Sequence, residues 1–176
     1  MYAKISANVK RFLILVLLQV MILNHVQWIH FINPYVYILF ILLLPIETPV
    51  WLVMLLGLAT GLIVDMFGNS GGIHAAATVL IAYLRPAVLR LLSPREEYDT
   101  EMTLTPQRMG LKWFITYASI MTLLHHFAFF YLEAFRFSEF FITFFKVILN
   151  TIVTVLIILL VTYLFGKKQK HERFVR

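Results

Sequence analysis

Long apolar runs alternate with short polar breaks along this chain, and the runs fall at residues 12–30, 34–46, 49–68, 73–92, 111–132 and 139–165. Most approach the ~20 residues that a helix needs to cross the hydrocarbon of a bilayer. The pattern therefore predicts an all-α integral membrane protein, one polytopic domain with about six transmembrane helices in a single bundle. The second run is the weak one. Between Pro34 and Pro45 it offers about a dozen residues, roughly 18 Å of helix against a core of about 30 Å. Such a segment either tilts into the interface, packs against neighbouring helices, or borrows residues from the preceding loop. The basic start followed by an apolar run is laid out like a signal peptide. No small-residue cleavage site follows it, so it reads as a retained first helix.

The polar breaks differ in kind. "GNSGG", residues 68–72, is short and rich in glycine, and it predicts a tight reversal in which Asn69, Gly71 and Gly72 take positive φ. "SPREEYDTEMTLTPQRMG", residues 93–110, is the longest polar stretch and carries Glu96, Glu97, Asp99 and Glu101. It reads as a cytoplasmic loop, either a solvated connector or a docking point for a partner. The basic tail, residues 166–176, reads as an anchor on lipid headgroups.

Charge placement adds an orientation. With the N-terminus inside, Lys4, Lys10, Arg11, Arg85, Arg90, Arg95, Arg108, Lys112, Lys167, Lys168, Lys170, Arg173 and Arg176 fall on the inner side. Only Arg136 and Lys146 fall toward the outside. That bias predicts cytoplasmic N- and C-termini and an even number of spans. The formal net charge of +6 is then accounted for by topology and by anionic membrane lipids, and no nucleic-acid partner is expected. Composition agrees: 61% of residues are hydrophobic and 14% charged, with a mean hydropathy of +0.84, outside the range of a soluble domain. The absence of cysteine excludes disulfides and thiolate chemistry.

Candidate chemistry concentrates in "GLATGLIVDMFGNSGGIHAAA", residues 57–77. Gly57 and Gly61 form a GxxxG, which lets another backbone approach an apolar helix closely. Asp65 follows four residues later, near the turn at Gly68, Gly71 and Gly72. A carboxylate costs roughly 2.5–3.5 kcal/mol at the bilayer centre and less near its surface. Two arrangements offset that cost. Asp65 caps the free amides at the start of the next helix, or it pairs with His74. Ser70 is a further candidate cap for that helix. His74, Thr78, Ala82 and Arg85 share one face of it, which points inward or at a partner.

Catalytic motifs are missing. There is no GxxxxGK[ST], HExxH or GxSxG, so neither an enzyme nor a cofactor or metal site is expected. His25, His30, His74, His125 and His126 gather in the outer half with Asp65, Glu133 and Glu139, but without ligand-type spacing. Packing or interfacial histidines are the simpler reading.

The run from Leu43 to Leu84 resembles the central region of the rod shape-determining protein MreD family. A helix with Gly61 and Asp65 meets the turn at Gly68–Gly72, and a helix with His74 and Ala75–Ala77 runs on to Ala82, Tyr83 and Leu84. The resemblance implies a multi-pass subunit of the bacterial inner membrane. It would be a non-enzymatic scaffold that binds MreC, a membrane-anchored periplasmic protein. Through MreC it would connect to MreB and the elongation peptidoglycan synthases, and so regulate cell shape. It also implies a fold like the substrate-binding S-components of energy-coupling-factor transporters. The alternative function is therefore a solute-binding transport subunit, with Asp65, His74 and His125 lining an outward-open pocket.

Overall fold

The structure, a computed structural model, describes residues 2–25, 32–92, 103–135 and 139–165. Within them the regular structure is helical: α1 (Tyr2–Met21), α2 (Leu39–Leu42), α3 (Val50–Gly68), α4 (Ile73–Leu91), α5 (Pro106–Met109), α6 (Leu111–Ala134) and α7 (Phe140–Phe165). Single 3₁₀ turns cover Leu23–His25 and Val36–Ile38. Four of these helices, α3, α4, α6 and α7, are long and apolar enough to cross a membrane. Their outward faces carry exposed apolar side chains, among them Leu55, Leu62 and Met66 on α3 and Phe145, Ile152 and Leu156 on α7. Such faces suit lipid and not water.

The long helices pack in the order α1, α3, α4, α6, α7, with the α3–α4 hairpin in the most extensive contact. α1 and α7 make no extended contact with one another. Inside this arrangement lies the short segment around α2. From Tyr35 to Leu44 no residue is more than 6% exposed, and α2 and its leading turn contact α1, α3 and α7. Of the three options open to the weak second run, the observed one is burial against neighbours. It forms a half-helix in the middle of the bundle, too short to be a span of its own. Being apolar on every side, it has no face to offer water.

For convenience, the end of the bundle bearing the 69–72 turn is termed distal and the opposite end proximal. α1 begins earlier than the apolar run that predicts it and stops at Met21, so the predicted stretch through residue 30 is not one continuous helix. Residues 26–31, most of the 93–110 loop (93–102) and the 166–176 tail lie outside the described residues. The rest of that loop holds α5 and a fully buried Leu104.

Candidate functional site

Asp65 organises the distal hairpin. It sits in the last turn of α3 and is 6% exposed. Its Oδ1 accepts the backbone N–H of His74 at 3.0 Å and the hydroxyl of Ser70 at 2.6 Å, and its Oδ2 accepts the N–H of Ala75 at 2.9 Å. The first turn of α4 carries unsatisfied amides and the positive end of a helix dipole, so an ionised side chain from the preceding helix meets both needs. Asp65 thus caps α4 through its backbone; the His74 imidazole is turned elsewhere. Ser70 is not the cap of α4, because its hydroxyl is committed to Asp65. Asn69, Gly71 and Gly72 have φ of 52°, 63° and 93°, and this left-handed run reverses the chain within four residues.

The GxxxG face is spent inside the hairpin. A Cβ placed on Gly61 would lie 2.4 Å from the Cα of Ala75 and 2.6 Å from its nitrogen. At Gly57 the nearest atom would be the Thr78 carbonyl oxygen, 3.2 Å away. The two helices therefore cross backbone to backbone at Gly61, which holds the α4 amides within reach of Asp65. Gly68, where a Cβ would meet only ordinary contacts at 3.4 Å and beyond, carries no such constraint.

Behind the hairpin the hydroxyl of Tyr37 is a hub. It lies 3.0 Å from His74 Nδ1, 2.8 Å from His125 Nε2 and 3.2 Å from Thr78 Oγ1, while Thr78 donates to the His74 carbonyl at 2.6 Å. Tyr35 stacks beside this hub. Its ring centroid is 4.7 Å from that of His74, 5.4 Å from His126 and 4.8 Å from Phe129. His126 Nδ1 meets the Thr122 carbonyl at 2.7 Å, so that nitrogen carries the proton; Nε2 then accepts from Thr154 at 3.3 Å. Of the histidines that sequence leaves scattered, His74, His125 and His126 are joined here in one aromatic and polar core; His30 and the side chain of His25 lie outside the described residues. His74 is 5% exposed and His125 and His126 are fully buried.

Both ends of the half-helix are tied into this core. At its distal end the amides of Asn33, Tyr35 and Tyr37 donate to Asn150 Oδ1 (2.6 Å), Thr154 Oγ1 (3.2 Å) and Gln19 Oε1 (3.4 Å). At its proximal end carbonyls are met by cations. Arg11 donates to Leu43 O at 3.3 Å, and Arg85 donates to Leu44 O and to Pro45 O, the latter at 3.3 Å. The Arg85 Nε also donates to Tyr117 Oη at 3.2 Å, and that hydroxyl donates to Leu42 O at 3.4 Å. A positive charge at a helix C-terminus opposes the dipole there. Arg85, 2% exposed, is therefore an interior fitting, although the sequence groups it with the inner basic residues.

Gln19, Tyr35, Tyr37, Tyr117, Asn150 and Thr154 escape the sequence reading. One signal for them exists: Thr143, Asn150, Thr154 and Thr162 mark a buried stripe on an otherwise apolar α7. Beyond the core, a cavity of about 240 Å³ opens at the distal side between α6 and α7, bordered by Asn33, Glu133, Glu139, Thr143 and Lys146. Among the described residues no three metal-ligating side chains converge. Asp65, His74 and His125 do not border that cavity; they are turned toward one another's elements.

Compared with known proteins, the chain matches no family model, no curated protein and no solved structure.

Proposed function

We propose that this chain is a non-enzymatic membrane scaffold of the bacterial cell-elongation machinery, an MreD-like subunit of the inner membrane that binds an MreC-like partner. Its termini lie in the cytoplasm, and α1, with the half-helix buried among the long helices, completes the set of six apolar segments. The observation that carries the reading is the commitment of the interior. The groups that would serve a solute, Asp65, His74 and His125, are bonded to amides and to Tyr37. An interior bonded in this way suits a rigid body that presents surfaces better than one that opens around cargo. The resemblance of residues 43–84 to the MreD family supplies the partners, MreC directly and MreB and the peptidoglycan synthases through it. The rigid distal hairpin is then the part nearest the periplasmic portion of MreC.

Affinity purification from detergent-solubilised membranes tests this reading against the transport alternative. The scaffold recovers an MreC-like protein, and Asp65→Leu lowers that recovery and disturbs rod shape. Recovery of an ATPase module with a retained small molecule, or normal shape and normal MreC recovery in Asp65→Leu, counts against it.

A further inference from the structure

Among the described residues, two buried side-chain polar atoms have no hydrogen-bond partner: Oγ1 of Thr122 and Nδ1 of His125. Both residues are fully buried, and they stand three positions apart on α6, hence on one face of it.

Proton accounting fixes what each atom needs. The Thr78 hydroxyl donates to the His74 carbonyl, so toward Tyr37 it can only accept, and the single proton of Tyr37 goes to it. The two remaining lone-pair directions of the Tyr37 oxygen then receive His74 Nδ1–H and His125 Nε2–H. This is the one pattern of neutral imidazoles that uses all three contacts. It leaves His125 Nδ1 as a bare lone pair that needs a donor. Thr122 offers a hydroxyl proton that needs an acceptor. The two do not bond each other directly.

Leaving both unmet in a low-dielectric interior costs about 1–3 kcal/mol per group. Side chains three apart on a helix are neighbours on one face, and one oxygen that makes two hydrogen bonds of about 2.8 Å can link polar atoms too far apart to bond directly. A water needs two or more polar partners to be held in a protein interior, and these two atoms supply them.

We infer that one water molecule is bound between Thr122 Oγ1 and His125 Nδ1 as a structural component of the core. It accepts the threonine proton and donates to the imidazole. It thereby fixes His125 as the Nε2–H tautomer and extends the hydrogen-bonded chain of Tyr37 along α6.

Nitrogen-15 NMR of histidine-labelled protein in lipid nanodiscs tests this, with the His125 signals assigned by their loss in His125→Gln. Expected in the wild-type protein are a protonated Nε2, an Nδ1 shifted as a hydrogen-bonded acceptor, and magnetisation transfer from water to His125. Thr122→Val, which keeps the shape and removes the hydroxyl, moves Nδ1 toward the position of a free lone pair and abolishes the transfer; Thr122→Ser retains both. A wild-type His125 protonated on Nδ1, or one that receives no transfer from water, overturns the inference before any variant is made. An Nδ1 signal unmoved by Thr122→Val overturns it as well.

Discussion

The carboxylate of Asp65 and the backbone amide of Ala75 lie 2.9 Å apart, so the last turn of one membrane helix closes the first turn of the next. Asp65→Ala removes the only carboxylate in this contact and leaves two buried amides unpartnered. Loss of an ordinary N-cap costs about 0.5–2 kcal/mol, and burial places this site at or above the top of that range. Asp65→Asn keeps one acceptor oxygen and is expected to fall between wild type and Asp65→Ala in thermal unfolding of the detergent-solubilised protein. Equal melting temperatures for all three proteins contradict the capping role.

Gly61→Ala and Gly57→Ala should differ. The first brings a methyl to 2.4 Å of backbone that has no room to yield, whereas the second approaches a carbonyl at 3.2 Å. Overpacking in a tight core costs typically about 1–3 kcal/mol, and Gly61→Ala is expected to reach or exceed that while Gly57→Ala stays toward its lower end. Resistance to unfolding in sodium dodecyl sulfate ranks them. The reverse order would mean that the hairpin does not cross at Gly61.

Tyr37→Phe takes the acceptor from two buried imidazole donors at once. At about 1–3 kcal/mol for each unsatisfied group, a clear loss of thermal stability is expected. Thr116→Val, at an exposed hydroxyl that bonds only within α6, should stay within about 0.5 kcal/mol of wild type.

Arg85→Lys retains the charge and loses the fork that reaches Tyr117 and two carbonyls together. It is expected to destabilise less than Arg85→Met, which leaves those carbonyls unmet beside the core. Measuring both variants separates geometry from charge: if they unfold alike, only the guanidinium fork matters.

Single-cysteine labelling tests the orientation, and the native chain has no cysteine to interfere. A cysteine at Asn69, on the exposed distal turn, is expected to react with an impermeant reagent added to intact spheroplasts. One at the exposed Glu47 should react only after permeabilisation. Labelling of Asn69 solely after permeabilisation would invert the proposed topology.

The α3–α4 hairpin was the most legible part of the chain because its determinants are local. An apolar length, a GxxxG and a run of residues that accept positive φ all lie within about thirty positions. Even there the choice between Asp65 capping a helix and Asp65 pairing with His74 depended on where the imidazole turns. That is decided by Tyr37, 37 positions away from His74. The half-helix was legible only as an anomaly of length. Its bonding partners are separated from it by 15 to 119 positions, and no periodicity encodes such pairs. His125 and His126 point about 100 degrees apart on a helix, which argues against a shared role. Both are nonetheless buried: His125 is bonded to Tyr37 and His126 to Thr154, and the Tyr35 ring lies beside each.

The half-helix also sets a timetable for assembly. The carbonyls of Leu44 and Pro45 wait for Arg85, about forty residues further along the chain, and the amides of Asn33 and Tyr35 wait for Asn150 and Thr154, 117 and 119 residues after them. Until α7 is in place, the amides of Asn33 and Tyr35 lack the partners that they have in the finished bundle, and unpaired backbone is costly in lipid. The bonding of the second segment is thus complete only when the last helix of the chain is in place.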